Sequence, residues 1–205
     1  MADFAKSYAL VKKYEGGWCN VAGDAGGETY AGIARNFFPH WAGWQLIDAE
    51  KSHPSFKRGA VTFSAHLVVL PELQAEVCAW YRKEWWQALH FGALPQNLAD
   101  EIFEQSVNLG KCGHGKYLQR VCNAFNYDPA KQGRLFDDLK EDGAIGAKTL
   151  AAIGMLLQNR LPEKAFVHAL NGMQVAHYVA IAANKPTLRK FTTGWLTRTY
   201  DPKEV

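Results

Sequence analysis

The spacing of apolar residues along the chain predicts a protein built mainly of α-helices. Near the N-terminus, Phe4, Tyr8 and Val11 recur at helical spacing. Glu15 falls next on the same face. Asp3 is placed to cap the start of this helix, and the glycine pair after Glu15 is placed to end it. The pattern therefore predicts a first helix with Glu15 in its last turn, facing inward with the apolar side chains.

Further segments with helical spacing follow, separated by prolines and glycines. They cover residues 44–51, 55–70, 71–89, 95–109, 117–125, 135–140, 147–158 and 162–183. A glycine-rich link is expected at residues 111–115, and a short element with Trp195 closes the chain. Strand-like alternation is confined to a small hairpin within residues 21–33. We predict a mainly α fold with at most this one β-hairpin.

The best internal boundary is the Gly-Ala-Leu-Pro sequence at residues 92–95. It divides a first segment, residues 1–92, from a second helical segment, residues 93–205. The link is short and lacks the long run of Ser, Gly and Pro residues that forms a flexible tether. The helix after Pro95 also has an apolar face that needs a partner. We therefore expect the two segments to pack into one globular body.

Composition and charge exclude several classes of function. The 205 residues are 48% hydrophobic and 21% charged, which is typical of a globular protein with a real core. The net charge of +3 permits attraction to an anionic polymer, but no basic run indicates nucleic-acid binding. No apolar stretch is long enough for membrane insertion. Because no signal peptide is evident, we expect synthesis in the cytoplasm. We also expect a monomer.

The cysteines, at positions 19, 78, 112 and 122, do not follow a metal-binding spacing. Two disulfides would allow three pairings. Without an export signal we expect reduced thiols. We also expect that the protein needs no metal and no other cofactor.

The densest chemistry lies in residues 15–33, EGGWCNVAGDAGGETYAGI. Two carboxylates, Glu15 and Asp24, lie nine positions apart among glycines, and Thr29 follows the second glycine pair. The glycines predict an irregular loop that fixes these polar groups. At the end of a helix, both the helix dipole and burial would raise the pKa of Glu15, as a general acid requires. Asp24, in a polar loop, is expected to stay ionised.

This arrangement resembles the signature of glycoside hydrolase family 108, the bacterial and phage N-acetylmuramidases. The family pattern runs approximately E-G-G-Y, a short Asn/Pro-rich spacer, D-P-G-G-x-T, two residues and G-I. Here Trp18 replaces the Tyr and Ala25 replaces the Pro, so the departures lie between the polar positions. The resemblance implies a lysozyme-like fold and cleavage of the β-1,4 bond between MurNAc and GlcNAc in peptidoglycan glycan strands.

In this interpretation Glu15 is the general acid that protonates the leaving oxygen. Asp24 stabilises the developing positive charge or orients the attacking water. Thr29 holds that water or forms a hydrogen bond with Asp24. We also expect Tyr30 and Trp18 to contact the substrate.

The second half carries its own resemblance, to the predicted peptidoglycan-binding segment that usually follows this catalytic segment. The similar residues are VNLG at 107–110, YLQ at 117–119, DGAIG at 142–146 and Thr149. Asp142 and Thr149 also have a simple structural interpretation as a turn and a helix cap. Asn108 resembles the Asn-x-Gly of some phage lysozymes, whose amide lines the cleft, so it joins the expected substrate-binding residues. It could equally serve only to end its helix.

Two other functions remain open at this point. A lytic transglycosylase would use Glu15 as both acid and base, with a sugar hydroxyl as nucleophile, and would need no second carboxylate. A non-catalytic peptidoglycan-binding protein that assists secretion would need neither carboxylate. The missing export signal fits a phage endolysin released by a holin, and it fits equally a muramidase that acts with a secretion system at the cell wall.

Overall fold

A computed structural model of the chain describes residues 1–14, 16–159, 161–197 and 199, and only the backbone of Tyr14, Lys111 and Cys112. The chain forms two compact units. The first comprises residues 3–92, and the second comprises residues 93–205 together with Met1 and Ala2.

Six elements of regular helix or strand precede the long helix of the first unit. They are α1 (Phe4–Val11), β1 (Thr29–Tyr30), β2 (Ile33–Ala34), α2 (Gly43–Glu50), α3 (Pro54–Lys57) and α4 (Ala60–Leu67). The long helix α5 (Pro71–Tyr81) continues as a π-helical turn, Arg82–Gln87, and a 3-10 turn follows at Phe91–Ala93. Strands β1 and β2 pair antiparallel, with Thr29 opposite Ala34 and Tyr30 opposite Ile33.

In its described residues the second unit forms helices, a 3-10 turn and an irregular segment between Ala124 and Ala147. It contains α6 (Gln96–Leu109), α7 (Lys111–Ala124), α8 (Ala147–Gln158), α9 (Glu163–Asn184), a 3-10 turn at Pro186–Phe191 and α10 (Thr192–Leu196). The described part of the chain has one sheet, the two-stranded hairpin of the first unit. The prediction of a mainly α fold with a small hairpin is therefore confirmed.

Helix α1 begins as its sequence indicates. The Asp3 carboxylate accepts the backbone N–H of Ala5 at 2.8 Å, which satisfies one of the donors left free at the helix start. Phe4 and Val11 are buried. The regular helix ends at Val11, earlier than predicted, and a 3-10 turn continues to Tyr14. Glu15, which the pattern placed in the last helical turn, lies outside the described residues.

Two predicted helices of the first unit are each interrupted. The helix expected over residues 55–70 is divided into α3 and α4 by Gly59, whose φ of 99° lies in the left-handed region. The Gly59 carbonyl then accepts the N–H of Phe63 at 3.0 Å as α4 begins. The helix expected over residues 71–89 changes to π-helical geometry at Arg82.

The predicted link at residues 111–115 is wrong, because α7 starts at Lys111 directly after Gly110. Gly110 makes the turn between α6 and α7 with a φ of 78°. Gly115 lies within α7 against the turn that contains Gly143, and a Cβ at Gly115 would overlap the Gly143 carbonyl. The glycine therefore serves close packing of helix and turn, not chain flexibility.

The short helix predicted over residues 135–140 is also wrong, because this segment is irregular. Side chains from α7 and the residues after it take the hydrogen bonds that a helix would form. The Asn126 amide oxygen accepts the N–H groups of Leu135 at 2.9 Å and Phe136 at 3.1 Å. The Asn123 side chain accepts the N–H of Leu139 at 2.8 Å and donates to the Leu139 carbonyl at 2.9 Å.

The core of the second unit forms where α6 packs against α7 and α9. Leu98, Ile102 and Phe103 of α6 are fully buried, as are Phe166 and Leu170 of α9. Burial of such side chains contributes about 1.5–3 kcal/mol each, so this shared apolar face stabilises all three helices.

The close approach at Gly115 generates a stability prediction. Gly115→Ala should destabilise the protein by about 1–3 kcal/mol, because the methyl group must displace the Gly143 carbonyl. Gly172→Ala is the matched control, since Gly172 lies within α9 with nothing near its Cβ position. That change should stabilise by about 0.5–1 kcal/mol through helix propensity. Thermal and urea unfolding measure both, and equal effects of the two substitutions would contradict the packing role.

Candidate functional site

The hairpin has a tight two-residue turn. Ala31 and Gly32 connect its strands with φ values of 46° and 72°, the positive values that a type I′ turn requires. The Tyr81 hydroxyl donates to the Ala31 carbonyl at 3.0 Å and ties the turn to α5. On the other edge, Cys19 and Thr29 exchange two backbone hydrogen bonds of 2.9 and 2.8 Å. The segment after Trp18 is thereby fixed beside β1.

Asp24 and Thr29, the two polar residues predicted in this loop, converge on one point. The Asp24 carboxylate accepts the N–H of Gly26 at 2.9 Å, and the Thr29 hydroxyl donates to the Gly27 carbonyl at 3.2 Å. A Cβ at Gly26 would lie 3.6 Å from both Asp24 Oδ1 and Thr29 Oγ1. Within the described residues the Thr29 hydroxyl therefore bonds to the backbone, not to Asp24.

The glycine pair is held from outside by Asn36. The Asn36 amide donates to the Ala25 carbonyl at 3.0 Å, and its backbone N–H donates to the Gly26 carbonyl at 3.1 Å. Gly27 has a φ of 65°, and a Cβ there would lie 2.9 Å from the Asn36 amide nitrogen. Only glycine fits this position without strain, so the Gly-Gly sequence sets the path of the loop between Asp24 and Thr29.

A network of charged side chains anchors the same loop from beneath. Glu28 accepts hydrogen bonds from the Trp18 indole at 2.7 Å, Arg35 at 2.5 Å and Lys51 at 3.1 Å. Arg35 and Lys51 also bind Asp48 on α2, at 2.5 and 2.7 Å. The side chain of Glu28 is 8% exposed. Sequence analysis missed this network, although the i, i+3 spacing of Asp48 and Lys51 was a signal for part of it.

The network keeps Glu28 ionised. Burial raises the pKa of Glu28, but hydrogen bonds from Lys51, Trp18 and Arg35 outweigh it, so the net pKa is below the ordinary value. The hydrogen bond from Arg35 is the main cause that lowers the pKa of Asp48. Glu28 is thus a poor proton donor at neutral pH, and its role is to position the loop.

An open groove of about 280 Å³ lies beside the hairpin. Gly16 and Gly17, the residues directly after Glu15, form part of its wall, together with Tyr30, Ser64 and Gln74. The Ser64 hydroxyl accepts the backbone N–H of Trp18 at 2.8 Å, and a Cβ at Gly17 would overlap Ser64. The chain therefore enters the loop along the wall of this groove.

The three predicted substrate-binding residues have different surroundings. Tyr30 lines the groove but is 3% exposed, and its hydroxyl accepts from the Gln74 amide at 2.8 Å. Trp18 is half-buried, with its indole N–H engaged by Glu28. Asn108 lies on α6 in the second unit, where its amide donates to the Tyr178 hydroxyl at 2.6 Å. Substrate contact by these residues stays a prediction.

Within the described ranges, no three His, Cys, Asp or Glu residues are grouped to hold a metal ion. Cys19, Cys78 and Cys122 carry free thiols. No helix in the part of the chain that the structure describes is long and apolar enough to span a bilayer.

A mainly helical fold with a short hairpin and a glycine-rich polar loop beside an open groove is typical of a lysozyme-like fold. Residues 8–110 match the family model of glycosyl hydrolase 108, and the chain belongs to this family. Residues 115–200 match a second model, described as "Predicted Peptidoglycan domain". The two matches support a role in peptidoglycan hydrolysis or binding.

A solved structure similar to this chain is that of Brucella abortus SagA. The two share 23% sequence identity, with 96% of this chain and 88% of that chain covered, and the TM-score is 0.55. At this identity the likeness supports the fold alone. No curated protein matches the sequence.

The family boundary and the structural boundary do not coincide. The glycosyl hydrolase match extends to residue 110 and so includes α6, whereas the first compact unit ends at Gly92. Helix α6 packs instead against α7 and α9 of the segment that matches the peptidoglycan domain. The two family segments therefore share a hydrophobic core within the second unit.

The Glu28 network generates a pH-dependent prediction. Glu28→Gln should lower the free energy of unfolding at pH 7 by about 1–3 kcal/mol, because Arg35 and Lys51 lose a buried partner. Because the pKa of Glu28 is lower in the folded protein than in the unfolded chain, ionised Glu28 stabilises the fold at pH values above its unfolded pKa of about 4.3. This stabilisation is lost as the pH falls through the folded pKa of Glu28. The difference between wild type and variant should therefore narrow in acid.

Urea unfolding at pH 7 and at pH 3 measures this difference, with Glu72→Gln, an exposed substitution on α5, as the control. A difference that is the same at both pH values would show that ionised Glu28 contributes nothing to stability.

Proposed function

We propose that this chain is a peptidoglycan hydrolase that cleaves the β-1,4 bond between MurNAc and GlcNAc, with Glu15 as the general acid. The observation that carries the proposal is the convergence of Asp24 and Thr29 on the space above Gly26, in a loop fixed by Asn36 and Glu28. The family match supports glycoside hydrolysis as the class of reaction, and the second match supports peptidoglycan as the polymer.

The loop geometry suits activation of a water molecule. The Thr29 hydroxyl donates its proton to the Gly27 carbonyl, which leaves its oxygen lone pairs as acceptors. A water between Thr29 and Asp24 can donate to both oxygens, which leaves its own lone pairs free to attack a sugar. Asp24 also places negative charge where the oxocarbenium-like transition state becomes positive.

The distribution of charge supports Glu15 as the acid. A general acid must hold a proton near neutral pH. Glu28, the other glutamate of the loop, has a lowered pKa and donors on both carboxylate oxygens, so it cannot take this role. Glu15 directly precedes the groove-lining Gly16. We assign the role of general acid to Glu15 because Glu28 cannot take it and because of the position of Glu15 in the family pattern.

The role of Glu15 as proton donor can be tested by substitution. Glu15→Gln should lower the rate of wall lysis by about 10²–10⁴-fold with an unchanged melting temperature, because the amide cannot donate a proton to the leaving oxygen. Turbidity loss of purified cell walls measures the rate, with Glu72→Gln as the matched control. A Glu15→Gln variant that kept more than half of the wild-type activity would refute the assignment.

Analysis of the products separates the remaining mechanisms. Hydrolysis leaves a reducing MurNAc end, whereas a lytic transglycosylase leaves an anhydro end. Wild-type protein that releases no soluble fragments from walls would instead support a purely binding role.

The roles of Asp24 and Thr29 can be tested in the same way. Asp24→Asn and Thr29→Ala should each lower the turnover rate more than they weaken binding to walls, because both groups act on the water and the developing charge. Thr187→Ala, exposed in the second unit, is the control. Separate measurement of turnover and wall binding makes the test. Unchanged turnover in both variants would leave Glu15 acting alone and would favour transglycosylation.

A further inference from the structure

A second groove, of about 690 Å³, lies in the unit that matches the peptidoglycan domain. Its walls are the irregular segment 136–146 and α8 as far as Met155, with Gln119 of α7. Phe136, Ala152 and Met155 provide apolar surface, and the Met155 side chain is 42% exposed. The volume falls within the roughly 300–1,000 Å³ of ordinary ligand pockets.

The groove is rigid although one wall has no regular structure. Asn126 and Asn123 hold the backbone of residues 135–139 through amide hydrogen bonds of 2.7 to 3.1 Å. Gln119 does the same at the far end, accepting from Gly143 N–H at 2.8 Å and donating to the Ala144 carbonyl at 3.1 Å. A wall fixed in this way loses little conformational freedom when a ligand binds.

Charged groups of both signs line the groove. Asp137, Asp138, Lys140 and Asp142 come from the irregular wall, and Lys148 comes from the first turn of α8. Asp137 and Lys148 are exposed, and among the described residues neither forms a salt bridge. A ligand that carries both a carboxylate and an ammonium group would complement them.

Peptidoglycan offers two chemically different parts to such a groove. The glycan strand is largely uncharged, and proteins commonly bind sugars by stacking on aromatic rings. Of the described residues that line the groove, Phe136 is the one aromatic side chain. The stem peptide, in contrast, carries free carboxylates and, in its diamino acid, an amine. The charge pattern favours the peptide.

We propose that this groove binds the stem peptide of peptidoglycan, with a peptide carboxylate at Lys148 and the diamino-acid ammonium at Asp137. The inference rests on the proposed action on peptidoglycan, since that polymer supplies the peptide. The second unit would then hold the wall by its peptides while the groove of the first unit acts on the sugars.

The test uses the full chain and measures binding, not lysis, so that it does not depend on catalysis. Titration calorimetry and NMR compare a stem tetrapeptide that contains a diamino acid, the same peptide with its side-chain amine acetylated, and chitotetraose. Lys148→Gln should weaken binding of the tetrapeptide by about tenfold, the loss of one charge-assisted contact. Asp137→Asn should weaken binding of the free-amine peptide but not of the acetylated one. Lys164→Gln, exposed on α9 outside the groove, is the control.

Each outcome decides the proposal. Binding of the tetrapeptide that is weakened by both groove variants and not by Lys164→Gln supports it. Absence of tetrapeptide binding, chitotetraose-induced NMR shifts at the residues that line this groove, or equal affinities of the groove variants and the control overturns it. Wall lysis by the same preparation is scored separately, so a chain that lyses walls but ignores the peptide refutes this inference alone.

Discussion

The candidate site depends on one buried carboxylate, that of Glu28. It lies in the chain between Gly27 and Thr29, so any movement of Glu28 moves the loop that carries Asp24. Its burial is tolerable because Arg35 and Lys51 compensate its charge and the Trp18 indole adds a third donor. Two strands of two residues each could not hold this loop by themselves. The charged network supplies the rigidity that the sheet lacks.

Both units use polar side chains to fix irregular backbone beside a groove. In the first unit Asn36 and Glu28 hold the loop after Asp24, and in the second unit Asn123 and Asn126 hold the wall of the larger groove. Irregular segments are where binding and catalytic groups are most often placed, but they position such groups well only when their backbone is satisfied and fixed. The protein meets this requirement with amide and carboxylate side chains.

Local patterns predicted the features that depend on near neighbours. The Asp3 cap, the bounds of α8 and the hairpin beside Thr29 follow from residues within a few positions of one another. The helix expected over residues 135–140 failed because Asn126 competes for its backbone, and a period of 3.6 cannot show this. The hydrogen-bond partners of Glu28 lie 7 to 23 positions away from it, so its part of the network was missed for the same reason. The role of Glu15 and the packing of the two segments into one body stay predictions.

The position of α6 changes how the two family segments should be understood. Family resemblance assigns α6 to the glycosyl hydrolase segment, yet Leu98, Ile102 and Phe103 of α6 are buried in a unit built with α7 and α9. Cutting the chain after residue 110 would expose this apolar face, at a cost of about 1.5–3 kcal/mol for each such side chain. The segment that matches the peptidoglycan domain therefore supplies the hydrophobic contacts of α6, a helix of the segment that matches the glycosyl hydrolase family. A substitution in either segment's share of this core changes the packing of the other segment, as it would not in two domains joined by a flexible tether.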